Sequence, residues 1–103
     1  DDIFRQTFFE RTMEKQPRVG IACVVQREGK VLLGERKKAP GAGSWAFPGG
    51  HLEFGETVFD CAARELAEET GLEALSMREG PWVEDIRQNG ETHYITIFVF
   101  IDQ

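Results

Sequence analysis

The chain is expected to fold as one mixed α and β domain, with strands on both sides of a single central helix. Three observations carry this expectation. A helix-period stripe of Val58, Phe59, Ala62, Ala63 and Leu66 lies between a start signal at Thr57 and a stop signal at Gly71. Apolar and β-branched runs stand before it, at 19–26 and 30–36, and after it, at 93–101. Pairs suited to tight turns, Glu28-Gly29 and Asn89-Gly90, punctuate those runs.

In chain order, residues 1–16 scatter Ile3, Phe4, Phe8, Phe9 and Met13 among charges, which suits a short amphipathic helix stopped by Pro17. The run 19–26 reads as a buried strand, and 30–36 returns as its hairpin partner. Residues 39–43 are a loop by composition, 44–47 a short extended piece, and Pro48-Gly49-Gly50 ends it. Thr57 suits the N-cap, with Asp60 three residues on completing a capping-box pattern. Gly71 suits the left-handed position after the last turn, with Leu72 placed for the apolar contact of a Schellman ending. Residues 75–78 and 82–87 read as extended, and 93–101 as a strand covered on at least one face. Residues 1–17 are thus expected as an N-terminal extension and 18–103 as the domain proper.

The length, 103 residues, suits one domain, and 41% apolar with 29% charged residues suits a globular fold. Twelve basic and eighteen acidic residues leave a net charge of −6. Such a chain supplies few cations for phosphate neutralisation, so nucleic acid is not an expected partner. No apolar run is long enough to span a bilayer, so no membrane partner is expected. Cys23 and Cys61 lie in apolar surroundings and read as buried thiols, consistent with a reducing, cytoplasmic setting.

The chemistry concentrates in one helix face. Glu65, Glu68 and Glu69 stand at i, i+3 and i+4, so their carboxylates are neighbours. Like charges at that spacing repel, and a hard divalent cation with a preference for oxygen ligands would offset the repulsion. The competing reading is a solvated acidic surface.

The motif that contains them is Gly50-x5-Glu56-x7-Arg64-Glu65-Leu66-x-Glu68-Glu69-x-Gly71-Leu72. It resembles the complete signature of the Nudix hydrolases, and the flanking residues 41–57 resemble the small nucleotide diphosphatase, MutT-like branch. The resemblance implies a Nudix-type α/β/α sandwich around a mixed sheet, Mg²⁺ or Mn²⁺ as cofactor, and hydrolysis of a nucleoside triphosphate to the monophosphate and pyrophosphate. Nucleotide-pool sanitation would be its use. It also implies roles. Glu65 and Glu69 resemble metal ligands, the Gly49 carbonyl a backbone ligand, and Glu68 a further ligand or the general base, with Glu65 the alternative base. Gly50, Glu56, Arg64 and Gly71 resemble structural members of the motif, Glu56 and Arg64 as an ion pair that fixes the loop on the helix. Arg36 resembles a phosphate contact, a strand-end solvated charge being the alternative. His51 stands where it could meet a phosphate or leaving group, or be a plain loop histidine. Phe47 and Leu52 either line a base or prenyl pocket or belong to the core, and Thr96 either lines the pocket or is an ordinary strand residue.

Other readings stay open: another diphosphate substrate, such as a prenyl diphosphate or a dinucleotide polyphosphate, or a catalytically silent ligand-binding domain. Family domains carry a further strand and helix after the point matching Gln103. The chain is therefore expected to lack its C-terminal strand and helix, with an apolar sheet face exposed or covered by a second copy in a homodimer.

Overall fold

The computed structural model describes residues 6–8, 16–37, 41–87 and 89–103. The amphipathic helix expected over 1–16 lies almost wholly outside the described residues, and residues 6–8 are in no regular element.

The central strand is β1, Arg18–Arg27, where Ile21, Cys23 and Val25 point to one face and are buried. Side chains alternate between faces along a strand, so Gly20, Ala22 and Val24 point to the other. The chain turns through Glu28 and Gly29, both at positive φ (52° and 76°), which gives the twist that a two-residue hairpin needs. It returns as β2, Lys30–Val31, pairing Gln26 with Val31.

The expected strand over 30–36 is divided. After Leu32, whose N–H still bonds Val25 O, the chain leaves β1. Gly34–Glu35, β3, pairs instead with Trp45–Ala46, β4, in a separate two-stranded sheet. The reason is competition for one edge. The Cys23 N–H bonds the Pro48 carbonyl at 2.7 Å, and β5, Gly49–His51, takes Gly20, Ile21 and Ala22. That leaves β2 only the far end of β1.

The helix α1, Val58–Thr70, forms where its caps place it. The Asp60 N–H donates to Thr57 Oγ1 at 3.0 Å, and Gly71 sits at φ 77° with its N–H on Ala67 O. Its ending is the single-bond left-handed form, because the Leu72 N–H turns to Thr70 Oγ1. The long strands β6, Ser76–Arg87, and β7, Thr92–Asp102, follow. The segments 75–78 and 82–87 prove to be one strand, joined through a bulge between Glu79 and Trp82. Pro81, which has no N–H to give a ladder, falls inside that irregularity. Asn89 and Gly90 take positive φ in the connecting turn, as their types suggest.

The sheet order is β2-β1-β7-β6, with β5 also on β1, and β1 runs parallel to β7 while all other pairs are antiparallel. A parallel pair needs a crossover, and α1 supplies it. The helix buries Cys61, Ala62 and Leu66 against Ile21, Cys23, Val25, Val99 and Ile101, an all-apolar core on one side of the sheet. On the opposite face Tyr94, Thr96, Phe98 and Phe100 of β7 are half-buried. Phe47 meets Phe98 edge-on at 6.2 Å, and the Arg78 guanidinium lies 4.5 Å over Phe100. The open edge β6 exposes Trp82, Val83 and Ile86.

Candidate active site

Two glycines bring the helix acids to the sheet. A side chain on Gly49 would overlap the Ile21 carbonyl oxygen, and one on Gly50 would overlap the Glu65 carboxylate. The bare backbone therefore runs between β1 and the acidic face of α1. Glu69 Oε1 accepts the Gly49 N–H at 2.8 Å, and Glu65, one turn earlier, lies against Gly50. Glu65 and Glu69 thus meet the same two residues of backbone.

Arg64 is the organising cation. Its Nε and Nη2 hold the two oxygens of Glu56 at 2.6 and 3.0 Å, while Nη2 also donates to the His51 carbonyl at 3.3 Å. The fork geometry of guanidinium and carboxylate makes this a strong and directional pair. Its Nη1 reaches Glu65 Oε2 at 2.9 Å and Glu68 Oε1 at 3.2 Å. The repulsion implied by three adjacent carboxylates is offset here by Arg64 and by the Gly49 N–H. The Arg64 guanidinium, helped by the Glu53 N–H, holds the Glu56 carboxyl down at about 2. Glu56 in turn is the main cause of an upward shift on Arg64. Loop 53–56 is thereby clipped to the middle of the helix.

Beneath the site, burial pushes the Cys23 thiol up to about 11, helped by the charges of Glu69 and Glu65. Burial, then the hydrogen bond with Glu56, pushes Cys61 up to about 12. Both are free, buried thiols and behave as core residues.

Beside the carboxylates lies a cleft of about 510 Å³ lined by Glu69, Gly49, Phe47, Pro48, Arg36 and Lys37, among others. The β3–β4 hairpin carries its cationic wall. The Arg36 N–H bonds Ser44 O at 2.8 Å, its carbonyl accepts the Gly43 N–H at 2.8 Å, and Gly41 packs against its side chain. Glu69 from the helix therefore faces one space with Arg36 and Lys37 from the hairpin, where Glu35 lies 3.4 Å from the Lys37 ammonium.

A sequence model of the NUDIX domain matches residues 14–103. The chain belongs to the NUDIX domain family. Phosphatase NudJ from Escherichia coli K12 is 51% identical over 59 residues, a match covering 57% of this chain and 38% of NudJ. The chain thus matches little more than a third of the length of such curated relatives. Among solved structures, the fold is similar to a MutT NUDIX hydrolase from Burkholderia pseudomallei, with a TM-score of 0.78 and 33% identity over 85% of this chain and 68% of that one. It is also similar to a NUDIX hydrolase from Nitrosomonas europaea, with a TM-score of 0.75 and 29% identity over 84% of this chain and 59% of that one. The mixed sheet with a helix packed on it is the Nudix α/β arrangement in these relatives.

Nudix hydrolases generally use divalent metals, and the chemistry of the donor set here fits one. Glu65 and Glu69 supply oxygen atoms, which suit a hard cation, on a backbone loop that leaves no side chain between them and the sheet. Among the described residues no three acidic, imidazole or thiol groups stand together at ligand spacing. The third acid, Glu68, is 59% exposed and meets Arg64 Nη1 at 3.2 Å, the same nitrogen that reaches Glu65 at 2.9 Å.

The remaining expected residues divide between two places. Arg36 and Phe47 line the cleft with Glu69. His51 and Leu52 line a second cleft towards the other end of β5, with Arg18, Glu53 and Phe54. Leu52 packs against the core as well, its N–H on Val19 O at 3.0 Å. Thr96 pairs with Gly20 in register on the face away from the helix. Lys37 also lines the first cleft, and two residues enter that the sequence reading gave no site role, Arg18 and Tyr94 around His51. The basic run Arg36-Lys37-Lys38 reads in the sequence as either a solvated loop edge or a local phosphate contact, and the structure puts Lys37 in the cleft. Arg18 and Tyr94 had no such signal, because strand register alone brings them to His51.

Proposed function

We propose that this Nudix domain is a metal-dependent hydrolase of phosphoric anhydride bonds that cleaves nucleoside triphosphates to the monophosphate and pyrophosphate. The observation that carries the reading is the shared cleft: Glu69 and Gly49 on one wall, Arg36 and Lys37 on the other. A polyphosphate is a substrate whose charge needs both walls. Arg36 offers a planar fork to one phosphate and Lys37 a mobile point charge to the next. Bound between Glu65, Glu69 and the phosphates, Mg²⁺ or Mn²⁺ would neutralise charge and orient an attacking water. Glu68, with a side chain 59% exposed, is assigned that water's proton, with Glu65 at 14% the less open alternative. Arg64 positions Glu65 and Glu68 without touching the substrate. The net charge of −6 favours a small, metal-bound phosphate compound over a nucleic acid strand.

The printed name of the NudJ relative, a phosphatase, favours a second reading in which orthophosphate leaves instead of pyrophosphate. Product analysis separates the two. The chain is incubated with Mg²⁺ or Mn²⁺ and a panel of nucleoside triphosphates, sugar nucleotides and prenyl diphosphates, and the released phosphate species are identified. Pyrophosphate from a triphosphate, lost in Glu69→Gln, is the expected result. Glutamine keeps an oxygen for the Gly49 N–H but removes the charge, so a folded, inactive variant isolates the electrostatic role. Turnover of no compound, or full activity in Glu69→Gln, would end the proposal.

A further inference from the structure

His51 sits one residue past the Gly49-Gly50 loop, and four contacts hold it. Its carbonyl accepts from Arg64 Nη2 at 3.3 Å and from Cys61 Sγ at 3.6 Å. Its ring lies stacked on Tyr94, centroids 5.6 Å apart and planes inclined by 13°. Arg18 Nη2 stands 3.5 Å from its Nδ1. Register explains how residues so distant in sequence meet: Arg18 is opposite Tyr94, and Gly20 is opposite both His51 and Thr96. The side chains of Arg18 and His51 are exposed and line one cleft, so the arrangement faces solvent instead of filling the core.

The Arg18 contact, at 3.5 Å, favours one position for the imidazole's proton. A guanidinium has donors and no acceptor, so the nitrogen that faces it carries the lone pair. In the neutral ring the proton is then on Nε2, and the Tyr94 stack fixes the plane in which that N–H points. We propose that Arg18 and Tyr94 are positioning residues that make His51 a single, fixed Nε2–H donor for a phosphate oxygen of the substrate. The inference rests on the function proposed above for its substrate, and on this geometry alone for the tautomer. Gly49 lines the acidic cleft and His51 the neighbouring one, two residues along β5 or roughly 6–7 Å. A chain of phosphates held at Gly49 extends that far. The positive charge of Arg18 beside the ring favours an anionic oxygen over a neutral one there.

Long-range ¹H–¹⁵N correlation spectra of the labelled chain, recorded where histidine is neutral, read the tautomer directly. His51 is expected as Nε2–H in the native chain, as a mixture of tautomers in Arg18→Met, and as native in Tyr94→Phe, which keeps the stack. Addition of a nucleoside triphosphate with Mg²⁺ should shift the His51 Nε2–H resonance. In turnover, Arg18→Met should raise KM about fivefold, the size of one ordinary hydrogen bond, with kcat little changed. In a His51→Ala background the same substitution should do nothing further, since Arg18 acts through the ring. An Nδ1–H ring in the native chain, no response of His51 to nucleotide, or an Arg18→Met effect that persists without His51 would each overturn the proposal. If the native chain turned over no nucleotide, the spectra would still decide the tautomer while the function proposed above failed separately.

Discussion

Two glycine-bearing stretches of this sheet come unusually close to their neighbours, and they serve opposite ends. Gly49-Gly50 presses against the Ile21 carbonyl and the Glu65 carboxylate, in the interior of the fold and beside the acidic cleft. Gly80, in the bulge of edge strand β6, presses against the Phe98 carbonyl at 2.7 Å and the Phe100 ring at 2.8 Å, measured from where a Cβ would stand. Both positions exclude a side chain. Only the first excludes it next to groups that carry charge. The bulge instead turns the open edge: with Pro81 in the break and a guanidinium capping Phe100, it spoils the long flat edge that invites pairing with other chains. Tight backbone approach is therefore a sign of a site only when its neighbour is chemically active.

That contrast can be broken by substitution. The largest effect is expected from Gly50→Ala, where the added methyl must displace the Glu65 carboxylate. Misplacement of a catalytic group by about an ångström costs on the order of a hundredfold in rate. The variant should lose that much kcat while its melting transition stays cooperative; unchanged kcat would remove the loop from the site. Gly80→Ala comes next and should act on stability alone, by about 1–3 kcal/mol for a forced fit against backbone and ring. Urea unfolding measures it, and a loss of Mg²⁺ affinity in that variant would erase the distinction between the two glycines.

The smallest effect is selective for pH. The Glu56 carboxyl is held at about 2 against a reference of 4.5, so folding binds fewer protons there than unfolding does. Its contribution to stability is complete above pH 4.5 and is lost as the pH falls towards 2. The native chain should melt progressively lower across that window. Glu56→Gln should begin from a lower melting temperature at neutral pH and fall less steeply. Parallel curves for the two proteins would mean that the clip on Arg64 contributes nothing.

Much of this architecture was legible in advance, and the failures have physical causes. Thr57 and Gly71 mark the helix ends because capping is local chemistry, and both caps form as their residue types dictate. Glu28-Gly29 and Asn89-Gly90 turn where expected for the same reason. Residues 30–36 misled, since nothing local tells Gly34 that β5 has already taken the neighbouring edge of β1. Segments 75–78 and 82–87 seemed separate because Gly80-Pro81 reads as a stop, whereas an edge strand absorbs it as a bulge. In the site, helical spacing put Glu65 and Glu69 on one face, and both meet the glycine loop. Glu65 and Glu68 both also engage Arg64, a competition that spacing alone does not reveal. The grouping of Arg18, His51 and Tyr94 depends on parallel pairing across more than seventy residues, which has no local trace.

That parallel pairing governs when the site can exist during folding. β1 receives one neighbour from residues 49–51 and the other from 92–102, so its hydrogen bonds close only after most of the polypeptide is in hand. Long-range closure of this kind slows folding. A nascent or partly unfolded chain would hold the acidic helix and the glycine pair without the β7 pairing that completes β1. The capacity to grip a phosphate compound should then appear together with the finished sheet, in a single cooperative step.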